Sequence, residues 1–166
     1  MVKRLNLGCG DDIKEGFDNV DVQKDKKLTK SFNFNKFPYP IKEESYDYIL
    51  VKQVLEHLEN PERVLIELHR ICKPGAIIRI EVPYYNNKGA FGSMQHMHYF
   101  SDQTFMDFVE GRKVINKKQS FEIKKLELTP SIIGRLMPKK LREKLSLFIG
   151  GLISQVHIEL KVIKSN

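Results

Sequence analysis

Apolar residues in this chain fall in short runs broken by glycine, proline and charged turns. The runs Lys3 to Leu7, Phe17 to Val22, a short one near Lys30 to Phe34, Tyr46 to Lys52, and Ala76 to Val82 predict five strands. Tyr46-Asp47-Tyr48-Ile49-Leu50-Val51 is dense enough in apolar residues for a buried parallel strand. After it, Pro61 opens a helix whose stripe is Val64, Leu65, Leu68 and Ile71, and Lys73-Pro74-Gly75 stops it. A connection rich in Gly, His and Tyr, from Asn86 to Phe100, leads to a helix capped by Ser101 or Asp102 and ending near Gly111. A sixth strand follows over Phe121 to Leu128. The last, Val156 to Ile163, alternates apolar with polar residues, as an antiparallel strand does.

The first turn carries the chemistry. Leu5-Asn6-Leu7-Gly8-Cys9-Gly10 runs an apolar strand into a glycine turn, and Asp21 ends the second apolar run. Glycine lets the backbone turn sharply and approach a ligand closely, since no Cβ intervenes. A carboxylate accepts hydrogen bonds from ribose hydroxyls, so strand, glycine turn, strand and carboxylate point to a nucleoside site. Two details disfavour a dinucleotide. The position three residues after Gly10 is Ile13 where a third glycine is wanted, and Asp21 follows Gly10 by 11 residues where about 20 are usual. That gap has no room for a crossover helix, which a ligand without phosphates does not need.

In order along the chain, LNLGCG, NVD, FPYP, SYDYILVKQVLEHL, ELHRICKPGA and VPYY resemble a class I S-adenosylmethionine-dependent methyltransferase of the small type 11 kind, over roughly residues 4 to 105. The resemblance implies an α/β, Rossmann-like fold. Its seven-stranded, mostly parallel sheet has the order 3-2-1-4-5-7-6, strand seven is antiparallel, and helices lie on both faces. It also implies S-adenosyl-L-methionine as cofactor. By motif, Gly8 and Gly10, with Leu7 and Cys9 beside them, would back the methionine part, and Asp21 would take the ribose hydroxyls. Asn33 stands where relatives carry an adenine-binding Asp, Phe34 would border the ring, and Gln53 would face the methionine moiety or the methyl. Two departures stand out. No helix precedes the first strand, and an insertion from Pro130 to Ser154 separates the last two strands.

On the acceptor side, His57, His96 and His98 are the candidate bases, with Glu56 and Tyr99 close in sequence. An imidazole with an ordinary pKa of about 6.5 suits accepting a proton from a hydroxyl or amine. His96-x-His98 has the spacing of a metal pair on a strand, but no third ligand follows at a recognisable interval, so no metal site is expected. Neither the tetrad of amino-group DNA methylases after strand four nor a Pro-Cys nucleophile is present, which argues against DNA bases. The expected reaction is methyl transfer to an O or N nucleophile of a small molecule, lipid or glycan. The alternatives are a non-catalytic module that holds the cofactor, and an RNA or protein methylase recruited by charge.

Composition adds bounds. At 166 residues, with 41% hydrophobic and 30% charged positions, one soluble domain over residues 1–166 is expected, with the insertion at about 130–154. No run approaches the 18 or so apolar residues of a membrane span, and the chain enters its first strand too early for a signal peptide. Cys9 and Cys72 lack CxxC spacing, so a reducing cytoplasm is expected. The net charge of +7 is spread over several Lys-rich stretches, and no specific nucleic-acid partner is expected. In the insertion, a helix from Lys139 to Ile153 would carry Leu141, Leu145, Phe148, Ile149 and Leu152 opposite Lys140, Arg142 and Lys144. Packing on its own domain is the leading expectation for it. A membrane-surface contact by 139–153 or a homodimer contact are the alternatives.

Overall fold

The structure is a computed structural model, and it describes residues 2–25, 27–111 and 120–164. Seven strands form one sheet: β1 (Arg4–Leu7), β2 (Asp18–Asp21), β3 (Lys30–Ser31), β4 (Tyr46–Lys52), β5 (Cys72–Pro83), β6 (Ser120–Pro130) and β7 (Ile153–Ile163). Their order is β3-β2-β1-β4-β5-β7-β6, with β7 antiparallel to both its neighbours and the other pairings parallel. This is the expected topology. Only the strand lengths differ. β3 is two residues rather than five, while β5 begins at Cys72, so Lys73-Pro74-Gly75 lies in the strand instead of ending the preceding helix.

The sheet is unequal on its two faces. In register across it, Val51, Ile80 and Ile158 form one apolar row and Ile49, Ile78 and Leu160 the next, all at most 1% exposed. Helix α1 (Pro61–Ile71) packs Val64, Leu65 and Leu68 into this core; after the one-turn helix α2 (Lys88–Phe91), helix α3 (Asp102–Glu110) adds Phe105 and Phe108. Both helices start on a cap: the Asn60 side chain accepts from Arg63 N–H, and Ser101 and Thr104 close a capping box. The intervening positions of β5 and β7 are polar. Arg79 faces Glu159 and Glu81 faces His157 across the ladder, and Arg79 Nη2 reaches Glu81 Oε1 at 2.7 Å. No helix lies between β1 and β4 among the described residues.

What stands in place of the first crossover helix is a pair of buried amides. Asn6 and Asn19 are register partners on β1 and β2, 2% and 5% exposed. Asn6 Nδ2 donates to Asn19 Oδ1 at 3.0 Å and to the Asp12 carbonyl at 2.8 Å. Asn19 Nδ2 donates to the carbonyls of Lys14 and Phe17, and its Oδ1 also accepts from Lys14 N–H. Apart from the Asn6–Asn19 bond, each of these hydrogen bonds joins the sheet to the short connection, which is how ten residues, 8–17, return the chain to a parallel neighbour without a helix.

The insertion departs from expectation. Its helix, α4, spans only Lys139–Leu145, and the chain then turns through Gly151 into β7. Arg142 and Ser146 are buried, whereas Leu141, Phe148 and Ile149 are exposed. The long amphipathic helix fails physically because Gly150-Gly151 lies inside it, with Gly151 at φ +79°. Arg142 takes the inward place because its Nη1 donates to the carbonyls of Gly134 and Met137.

Replacing Asn19 by Ala is expected to cost roughly 2–4 kcal/mol, since it removes one of the two bonds of the Asn6 amide and takes the Asn19 partner from Lys14 N–H and from two carbonyls of the connection. Urea unfolding of the two proteins measures it. A loss under about 0.5 kcal/mol would show that water replaces these bonds freely.

Candidate active site

The carboxyl ends of β1, β2, β4 and β5 converge on one rim, the place where open α/β sheets bind ligands. β1 runs out into Gly8, at φ +70°, whose N–H donates to the Val20 carbonyl at 2.8 Å. A Cβ at Gly8 would stand 2.4 Å from Val54 Cγ2. Gly10, at φ +47°, has open space around it, and its N–H donates to Asp21 Oδ2 at 2.8 Å. Asp21 Oδ1 accepts from the N–H groups of Val22 and Gln23 at 2.7 and 3.2 Å. Of the roughly four acceptor positions of a carboxylate, three are thus filled by backbone, leaving one on Oδ2. A cavity of about 360 Å³ opens here, bounded by Gly10, Ile13, Asp21, Gln23 and Leu28 among others.

The other expected cofactor residues divide. Leu7 and Cys9 are buried, so Leu7 offers only its backbone to the rim. Burial, with Asp21 nearby, pushes the Cys9 thiol up, which keeps it a neutral wall residue. Asn33 is exposed, and its Oδ1 accepts from Asn35 N–H at 2.8 Å with a second lone pair left over. Phe34 turns its ring away from the rim into an aromatic cluster with Phe32 and Tyr39, at 5% exposure. Only its backbone can border a ligand. Gln53 holds φ +55°, an uncommon state for a side-chain-bearing residue, and its N–H donates to the Glu81 carbonyl at 2.8 Å.

The three histidines do not converge. His57 and His96 do, with ring centroids 4.6 Å apart. His57 ends a 3-10 turn, Leu55–His57, that follows β4. His96 is brought to it because the Glu56 carbonyl accepts from the N–H groups of Met97 and His98 at 2.8 and 3.3 Å. His98 points elsewhere. Its Nε2 lies 3.3 Å from the Glu59 carbonyl, and it lines a separate cavity of about 580 Å³ with Leu65, Phe100, Phe105 and Phe108. The alternate spacing of His96 and His98 therefore does not place them on one face, because 96–98 is not a strand. In the other direction from His57 lies a residue that sequence reasoning passed over. Glu56 is 1% exposed and neither carboxylate oxygen has a hydrogen-bond partner. Burial pushes its carboxyl up, a rise that its own backbone N–H and the nearby His96 reduce. Burial and His96 push the His57 imidazole down, while a backbone hydrogen bond with Gln95 works the other way. The available signal was an acid inside the apolar run Val54-Leu55-Glu56-His57-Leu58.

Residues 12–80 match a family model described as a methyltransferase domain. The matched segment is less than half of the 166-residue chain. The methyltransferase fold extends beyond the matched segment. An S-adenosylmethionine-dependent methyltransferase structure from Archaeoglobus fulgidus superposes with a TM-score of 0.61 at 18% identity, covering 96% of this chain and 86% of that one. A second, from Mesorhizobium loti, gives 0.62 at 12% identity, over 96% of this chain and 90% of that one. In sequence, an uncharacterized protein of Methanocaldococcus jannaschii is 25% identical over 138 residues, which are 82% of this chain and 65% of the relative. The chain thus spans about two thirds of that relative's length. Among the described residues, no helix is long and apolar enough to cross a membrane.

The two glycines of the turn should respond differently to substitution. Gly8→Ala combines left-handed strain with the Val54 clash and is expected to cost about 2–4 kcal/mol. Gly10→Ala meets open space and should cost only about 1–2 kcal/mol. Thermal unfolding of both variants checks the order, and a Gly10 variant the less stable of the two would contradict it.

Proposed function

We propose that the whole chain works as one S-adenosylmethionine-dependent methyltransferase domain that methylates an O or N nucleophile of an acceptor held beyond β4 and β5. The observation that carries this reading is the glycine turn bonded to Asp21 at 2.8 Å, immediately before and within residues 12–80, which match a methyltransferase-domain model. The residues fit the cofactor. Gly8 leaves no room for a side chain, Gly10 leaves open space, and Asp21 keeps one acceptor position beside the cavity. In this reading Asp21 takes one ribose hydroxyl directly, and a second can bond it only by displacing Gly10 N–H. Asn33 Oδ1 and the Phe34 backbone serve the adenine side. Gly8, Cys9 and Gly10, with the Leu7 backbone, back the methionine part, and Gln53 stands at its far end.

When bound, the cofactor supplies a sulfonium methyl that an acceptor lone pair displaces in line, leaving a neutral thioether. The protein contributes mainly position. Gln53 is fixed by its backbone bond to Glu81 and by Nε2, 3.3 Å from the same carbonyl. The acceptor proton is handled by the His57–His96 pair, whose imidazole with a lowered pKa is neutral and ready to accept near pH 7. His98, in its separate cavity, is left out of this role. Acceptors in the small-molecule, lipid or glycan classes suit the open rim, where Phe91 stacks on Tyr99 and Met94 and Met97 are exposed.

Asp21→Ala is expected to lower affinity for S-adenosylhomocysteine ten- to a hundred-fold, about 1.5–3 kcal/mol. Isothermal titration calorimetry on both proteins measures this. Unchanged affinity would remove Asp21 from the site, and an absence of binding to the wild-type chain would refute the reading itself.

A further inference from the structure

We propose that Glu56, His57 and His96 form a divalent transition-metal site on the acceptor side of the rim. One ligand atom from each residue lies within 4.8 Å of the others. Two imidazoles and one carboxylate are a common donor set for zinc-like cations, with three protein ligands and a fourth position left for water or substrate. Tetrahedral ligands at about 2.1 Å from a metal stand about 3.4 Å apart, so a cation draws these side chains in by about 1 Å.

The second observation is the carboxylate itself. A buried ionised group without partners is costly and is ordinarily paired or metal-bound. Glu56 is 1% exposed, both its oxygens lack hydrogen-bond partners, and no Lys or Arg salt-bridges it among the described residues. A dication between it and the imidazoles supplies the missing counter-charge. The third observation is orientation. His96 Nδ1 lies 2.8 Å from the Ala90 carbonyl, which makes it the protonated nitrogen and leaves Nε2 as a lone-pair donor. Metal-ligating histidines are typically held in this way, by a carbonyl on the nitrogen that does not bind. The scaffold is rigid where it needs to be, since the Glu56 carbonyl bonds the backbone of 97 and 98 and so ties both halves of the site together.

The fourth position is suited to an acceptor oxygen, whose proton a bound dication makes easier to lose; with His57 and His96 holding the metal, that proton passes to water at the open rim, and the metal replaces the base role given to the two imidazoles above. That role, though not the binding, rests on the methyltransferase reading. The acceptor class it selects is a hydroxyl-bearing one, ahead of an amine.

The test uses the full chain stripped with chelator and titrated with Co²⁺, followed by calorimetry and by the visible absorption of the bound ion, with Zn²⁺ as competitor. We expect one Co²⁺ per chain, displaced by Zn²⁺. Glu56→Gln and His96→Ala should each weaken binding roughly a hundred-fold or more, while His98→Ala should keep it. Circular dichroism establishes that each variant is folded. Should Glu56→Gln fail to fold, His96→Ala, on the more exposed connection, carries the comparison. No stoichiometric binding, or binding unchanged in the folded variants, overturns the site. Equal loss in His98→Ala overturns the ligand set in favour of the His96-x-His98 pair. S-adenosylhomocysteine calorimetry on the same samples separates the two readings: its binding without metal refutes only the metal site, and metal binding without it refutes only the nucleoside assignment.

Discussion

The hydrogen bonds between Asn6 and Asn19 are the constraint on which the cofactor end of this molecule depends. A parallel strand pair ordinarily needs a crossover of a dozen or more residues, most often helical, to bring the chain back. Here the return is made by a loop, and loops carry backbone groups that must find partners when pressed on a sheet. The two amides supply those partners from inside the sheet, Asn6 by donating through Nδ2 and Asn19 by using both its donor and acceptor ends. Their fixed register sets where β2 ends relative to the glycine turn, and therefore brings the Asp21 carboxylate within reach of Gly10 N–H. They thereby decide the geometry of the Gly10–Asp21 contact.

The site divides into two parts of different physical character. At the ends of β1 and β2, the groups are backbone N–H and one carboxylate, already bonded to one another and open to a cavity. After β4, the groups are side chains with mismatched needs: an acid with no partner, an imidazole whose pKa burial has lowered, and a second imidazole oriented by a carbonyl. The first part is satisfied as it stands. The second is not, and the unmet bonding capacity of Glu56 is what distinguishes a site awaiting an occupant from a packed interior.

Much of the architecture was legible in the sequence because it rests on local signals. Apolar runs, the Pro61 helix start and the glycine turn predicted the strands, α1 and the rim, and the ordered motifs implied the sheet order that the structure has. What escaped depends on long-range juxtaposition. Asn6 and Asn19 look like ordinary polar positions in strands until register makes them neighbours. The resemblance places Phe34 beside the adenine ring, but the four rings in FNFNKFPY pack on one another instead. His98 lay beside His96 in sequence and so was grouped with it. The segment between them is not part of a strand, so spacing of two does not mean a shared side. Glu56 needed knowledge of burial, which an apolar context suggests and only packing settles.

The uneven sheet has one more consequence. Because α1 and α3 cover the face holding Val156, Ile158, Leu160 and Val162, while His157, Glu159 and Lys161 lie on the charged ladder, β7 keeps two alphabets in one strand. Side chains alternate strictly across a strand, so tolerance to substitution along β7 should oscillate residue by residue. A sequence drifting under selection for folding alone would keep its even positions apolar and let its odd ones exchange one charged or polar residue for another. The antiparallel strand thereby serves as a written record of which side of the sheet the chain has chosen to bury.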